Sequence, residues 1–243
     1  SVWLLSQIPE PKISDVKHRG LRRPMSADDR RRAFATYGHG LSMVLLAYIL
    51  LTVMRSIRDD FAVEIWRDLG EAGKPAIFAQ SELLVMFGVV AVNAAAILIR
   101  DNRKALQVAV STMIGGFALV LLAILAYRQN WLSAFPFMVL LGLGMYVPYV
   151  SIHTTIFERM IAAFRSTGNI GYLMYLADAM GYLGYVGVML MKNVGGQRLD
   201  FLEFFLRASM FMAIVSIGLM FCGFVYFRRK LPPPASVALA SST

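Results

Sequence analysis

The chain has 243 residues, 58% hydrophobic and only 16% charged, where soluble domains carry about 25% charged residues. A single cysteine, Cys222, excludes a disulfide framework or a cysteine-based metal site within one chain. The formal net charge is +9, so partners of opposite charge, nucleic acid included, have to be weighed against a membrane explanation.

Residues 1–8 are apolar but too short to span a bilayer, and they lack the basic start and small-residue cleavage site of a signal peptide. They read as the end of a preceding transmembrane helix, which makes the chain the C-terminal part of a longer protein. Residues 9–35 are polar and basic, with Pro9, Pro11 and Pro24, and read as a cytoplasmic linker. Within it, Ser26 and Asp29 have capping-box spacing, so a short helix is expected to lead into the first apolar stretch. Six apolar stretches follow, at about 36–54, 77–99, 105–127, 135–157, 169–191 and 207–227. A bilayer core about 30 Å thick takes roughly twenty helical residues to cross. Continuous apolar runs of this length predict helices, not alternating barrel strands. The expected fold is therefore an all-α membrane protein, a six-transmembrane-helix bundle over 36–230, followed by a disordered tail over 231–243 after Pro232-Pro233-Pro234.

Between the first two spans, Ile57, Phe61, Ile65, Trp66 and Leu69 recur at helical spacing among charged residues. This pattern predicts a helix lying at the interface with Trp66 at headgroup level, ended by Gly70, Gly73 and Pro75. Lys and Arg are split sixteen to eight between the two sides of the spans. The bias places both termini in the cytoplasm of a cell with the chain in its inner (plasma) membrane. It also accounts for the basic run Arg30-Arg31-Arg32 as a membrane-side anchor, so no nucleic acid is expected.

Spans three and six carry no charged residue in their interiors and are expected to face lipid. Spans one, two, four and five hold the polar groups and are expected to face inward. Asp178 lies about ten residues into span five, near the midplane at 1.5 Å per residue. Tyr172, Tyr175, Tyr182 and Tyr185 recur every three or four residues around it, on the same side of the helix. Such a face can bind a polar solute or hold a proton, or it can merely fix packing. Glu82 begins span two, close to Arg55 and Arg58 at the end of span one, and a salt bridge to one of them would offset its burial. His153 follows Pro148, which should kink span four, and is a candidate for proton relay or for plain packing. His39, between Gly38 and Gly40, is a weaker candidate. No metal-binding, phosphate-binding or nucleophile motif is present, so neither an enzyme nor a metal or cofactor is expected.

A six-helix unit after a basic linker resembles the C-terminal half of a major facilitator superfamily protein. The loop Arg100-Asp101-Asn102-Arg103-Lys104 resembles that superfamily's loop motif, without its glycine, through Asp101, Arg103 and Lys104. Three stretches resemble the DUF5690 family more specifically. They are Gln7-Ile8-Pro9 through Pro24-Met25, Met54-Arg55-Ser56-Ile57-Arg58-Asp59-Asp60 through Trp66, and Phe157-Glu158-Arg159-Met160 through Gly181-Tyr182-Leu183-Gly184. The resemblance implies two inverted three-helix repeats, with spans one and four lining a cavity and spans three and six at the periphery. Glu82 and Asp178 would then sit on corresponding helices.

The function expected from residues and resemblance together is half of a secondary active or facilitative transporter for a small polar solute. It would work by alternating access, with Asp178 as a proton site and Tyr175, Tyr182, Glu82 and His153 along the pathway. Its partners would be the lipid bilayer and a missing N-terminal six-helix half. The alternative is a non-transporting scaffold or sensor with a transporter-like fold.

Overall fold

In a computed structural model the described residues are 26–71, 76–99, 101–163, 170–194 and 201–230. The expectations for residues 1–8, most of the linker and the tail lie outside them. Among the described residues, six helices are long and apolar enough to cross a membrane, and the chain is a multi-pass helical membrane protein. The spans are Tyr37–Asp60, Ala76–Ala96, Asn102–Arg128, Ala134–Ile161, Gly171–Leu190 and Phe201–Lys230. Inside a helix every interior backbone N–H and C=O is bonded within the segment, which is why apolar runs of this length take this form in lipid.

The first helix begins at Ala27, directly after Ser26, and runs to Asp60. It bends at Tyr37, whose φ of −136° and ψ of 16° leave the helical range. Because it continues past Met54, Arg55 and Arg58 lie on its last turns. A short helix, Ala62–Asp68, follows and ends at Gly70, whose φ of +86° only glycine adopts without strain. Trp66 is covered by protein. It is 2% exposed and packs against Phe78 and Phe135, so the apolar face of this helix is covered by protein. Amphipathic periodicity marks a face to be buried; it does not say whether lipid or protein buries it.

Span four is continuous but irregular. An α-helix from Ala134 to Ser151 contains Pro148, passes into a π-helical turn at Ile152–Ile156 and resumes as α-helix over Phe157–Ala163. Proline removes one backbone donor, and the wider π-turn re-aims the side chains that follow it.

Spans one, three, four and six form the packed middle, with span two on the flank of span four and span five on the flank of span one. Gly116 faces Pro148 and Gly144 faces Val120, so spans three and four run antiparallel in close approach. A Cβ on Gly116 would lie 2.5 Å from Pro148 and 3.0 Å from the Gly144 carbonyl oxygen. Only glycine permits that backbone distance. Gly40 beside Phe227 and Phe61 beside Phe201 make spans one and six antiparallel. Arg128 at the end of span three binds Glu203 at the start of span six, so these two are antiparallel as well.

Span five runs parallel to span one, with Gly181 against Thr52 and Tyr185 bonded to Asp60. Span two runs parallel to span four, with Val85 against Gly142 and Asn93 bonded to Thr154. Spans one and four are antiparallel, joined by Tyr48 to His153 at one level and Arg58 to Met138 at another. This set of pairings is unchanged when one is exchanged with four, two with five and three with six.

Burial within the described residues differs between the spans. In spans two and five only 17% of the most apolar stretch is buried, against 44% in span three and 33% in span six. Lack of charge does not leave spans three and six unpacked, because both make close helix contacts within the chain.

Candidate functional site

Three helices converge on Asp178. Tyr48, fully buried in span one, donates its phenol hydrogen to Asp178 Oδ1 at 2.5 Å. The same Oη lies 2.8 Å from His153 Nε2. His153 Nε2 and Asp178 Oδ1 are 3.5 Å apart, beyond good hydrogen-bond length. The His153 side chain is 16% exposed and that of Asp178 is 35% exposed. The carboxylate is therefore bonded to protein on one side and open on the other.

Each of these positions has a local cause. His153 is the second residue of the π-turn below Pro148, so its ring points at span one. Asp178 lies one turn before Gly181, where a Cβ would come within 2.9 Å of Thr52. The missing side chain lets span five approach span one closely enough for Tyr48 to reach the carboxylate. Tyr149, one turn before His153, stacks on Tyr48 with ring centroids 5.6 Å apart and an interplanar angle of 19°.

A polar ladder continues from this stack toward the Asp60 end of span one. The Arg55 guanidinium lies over the Tyr149 ring at 4.4 Å, a cation–π distance, and its Nη1 donates to Asp59 at 3.1 Å. Asp59 also accepts from Tyr146 Oη at 2.7 Å. Arg58, 2% exposed, donates through Nη2 to Glu82 Oε1 at 2.7 Å and to the Met138 carbonyl at 3.3 Å. Asp60 accepts from Tyr185 Oη. The consecutive residues Arg58, Asp59 and Asp60 thus tie span one to spans two, four and five.

The structure brings some of the sequence candidates together and separates others. Asp178 and His153 share one site, and Glu82 pairs with Arg58, while Arg55 binds Asp59. Tyr175 and Tyr182 are 79% and 54% exposed, and the phenol that reaches Asp178 is Tyr48. His39 is exposed near Tyr226, away from the site. Asp101 caps the third span's helix, accepting from the backbone N–H of Arg103 at 2.8 Å and of Lys104 at 3.1 Å. Those two bonds hold its carboxyl below the ordinary range. Asn102 accepts from Arg159 Nη1 at 2.6 Å, joining this loop to the far end of span four. The sequence reading missed Tyr48, Tyr146 and Tyr149. Their signal was a phenol within an apolar span at the depth of Asp178, and two phenols flanking Pro148.

The chemistry available is acid–base. A carboxylate, an imidazole and a phenol meet in an apolar surround where an uncompensated charge is costly. Among the described residues, no grouping of three or more His, Cys, Asp or Glu side chains could hold a metal ion. A family model described as "Family of unknown function (DUF5690)" matches residues 1–230. Neither a curated protein nor a solved structure matches the chain.

Proposed function

The chain belongs to the DUF5690 family, and we propose that it forms half of a secondary transporter that moves a small polar solute by alternating access, coupled to a proton on Asp178. The observation that carries this reading is the intramembrane carboxylate of Asp178, bonded through Tyr48 and beside His153, where spans one, four and five meet. An ionisable group at that depth is costly in lipid and is characteristically a substrate or proton site. A purely static role, as in a scaffold or sensor, would seal the carboxylate completely; its 35% exposure favours access to a solute.

The exchangeable packing of spans one to three and four to six supports two inverted three-helix repeats of the major-facilitator kind. The exposed faces of spans two and five, with Tyr175 and Tyr182 on the same helix as Asp178, are where a second helical bundle would complete a cavity. The clasp of Arg58, Asp59 and Asp60 would close that cavity at the outer end. The Lys and Arg bias supports cytoplasmic termini in the inner membrane.

The test is solute uptake by the full-length protein in cells, wild type against Asp178→Asn and Asp178→Glu. A substrate screen with wild type supplies the solute. Loss of proton-driven uptake in Asp178→Asn, with partial recovery in Asp178→Glu, is expected. Transport and coupling unchanged by Asp178→Asn would refute the role.

A further inference from the structure

The hydrogen-bond geometry at the centre constrains how a proton can occupy this site. A tyrosine hydroxyl has one hydrogen and can donate to one neighbour at a time. Tyr48 Oη lies between two partners, 2.5 Å from Asp178 Oδ1 and 2.8 Å from His153 Nε2. Those partners are 3.5 Å from one another, too far for an efficient direct transfer. When the phenol donates to the carboxylate, Nε2 must carry a hydrogen and donate to Oη. When the carboxyl is protonated and donates to Oη, the phenol must donate to a bare Nε2.

We infer that Tyr48 is the proton carrier between His153 and Asp178, so that the two groups share one proton through the phenol instead of titrating separately. The inference rests on the proposed proton-coupled reading of Asp178. In the transfer, the phenol O–H bond breaks as its hydrogen passes to Oδ1, and the Nε2–H bond breaks as that hydrogen passes to Oη. An imidazolium and a carboxylate become a neutral imidazole and a carboxylic acid. The phenol is unchanged at the end, and the net charge of the site is the same in both states.

The surroundings suit this role. Tyr48 is fully buried and its ring is held by the stack on Tyr149, so the hydroxyl has little freedom to leave the line. The groups facing the pair are Tyr48 and Arg55 from span one and Tyr149 from span four. Span five adds Tyr175 and Tyr182, both exposed. Arg55 is occupied by Asp59 and the Tyr149 ring, which leaves the phenol as the partner common to His153 and Asp178. The transfer also links helices: Tyr48, His153 and Asp178 belong to spans one, four and five, so the proton's position changes bonds between all three.

The experiment uses the full-length protein in lipid nanodiscs, without any solute. Infrared difference spectra follow the carboxyl C=O band of Asp178, assigned by its loss in Asp178→Asn. ¹⁵N-histidine NMR follows Nε2, assigned by its loss in His153→Gln. The wild type is expected to show both signals changing over one common pH range between about 4 and 8, the span of ordinary Asp and His titration. In Tyr48→Phe the Nε2 hydrogen-bond shift is expected to disappear and the two signals to change over separate ranges. Should Tyr48→Phe misfold, 3,5-difluorotyrosine at position 48 keeps the ring and makes the phenol more acidic; both signals are then expected to move together.

Signals that ignore both changes at Tyr48 would overturn the carrier role while leaving Asp178 as a possible coupling site. A wild-type carboxyl that never protonates over this range, with an Nε2 shift still dependent on Tyr48, would reduce the link to a static hydrogen bond. That outcome would overturn the proton-coupled reading as well.

Discussion

The clasp between Arg58 and Glu82 gives the most quantitative test of how this bundle is held together. Arg58 is almost completely covered, while the Glu82 side chain is 47% exposed, and Nη2 and Oε1 are 2.7 Å apart. Unit charges at about 4 Å interact by roughly 4 kcal/mol at an effective dielectric near 20. Solvent at the half-exposed Glu82 screens the pair, so about half of that, about 2 kcal/mol, should survive as coupling. The perturbation is a double-mutant cycle of Glu82→Gln, Arg58→Gln and the pair, measured by equilibrium unfolding in bicelles. Glu82→Gln alone should cost about 2 kcal/mol because it leaves a covered guanidinium with Asp59, at 3.4 Å, as its nearest carboxylate. The double variant should be less destabilised than the sum of the singles by about the same amount. Salt supplies a control. Raising ionic strength from 0.1 to 1 M shortens the Debye length from about 10 to 3 Å. The exposed Arg128–Glu203 pair should lose its coupling under these conditions, and Arg58–Glu82 should keep most of it. A coupling below about 0.5 kcal/mol, the range of surface pairs, would refute the argument and mean that Asp59 and the Met138 carbonyl alone neutralise Arg58.

Two further predictions test other contacts. Gly181→Val should separate spans one and five, because even its Cβ would meet Thr52 at 2.9 Å. A loss of about 1–3 kcal/mol in bicelle unfolding is expected, together with loss of the Tyr48-dependent Nε2 shift; a wild-type value of both would refute the close approach. Asp101→Ala should cost about 1 kcal/mol by removing the helix cap. Since the folded carboxyl sits below its unfolded range, the Asp101 contribution is full above an unfolded pKa of about 3.9. It should fade as pH falls through the lower folded value. Comparing wild type and Asp101→Ala by unfolding across that range checks this, and a difference that grows on acidification would refute it.

Much of the architecture was legible before folding because it depends on sums over neighbouring residues. Hydropathy located all six spans, since crossing lipid requires a continuous apolar run whose backbone bonds are satisfied within itself. The boundaries were short at both ends of some spans. Span six, for example, begins at Phe201, where Glu203 and Arg207 pair with each other and so are carried on the helix. Asp178, His153, Glu82 and Arg58 were legible as polar residues in or beside apolar runs, and Gly70 as a stop. The partner of Asp178 was not. The tyrosine stripe on its own helix was the nearest phenol supply in the chain, yet the structure supplied Tyr48 from 130 residues away. Nothing in a single span's periodicity reports the rotation of the helix beside it.

Composition and local pattern therefore determined that this is a multi-pass helical membrane protein, with six spans among the described residues, and which residues pay a desolvation cost inside it. Tertiary structure alone decided which spans are covered, that Arg58 and not Arg55 meets Glu82, and that a phenol joins His153 to Asp178. The physical reason is range. Helix formation and membrane insertion are settled within one segment. A hydrogen bond between segments depends on where small residues such as Gly116, Gly144 and Gly181 let separate helices approach, and on the turn that the π-helical segment gives to His153.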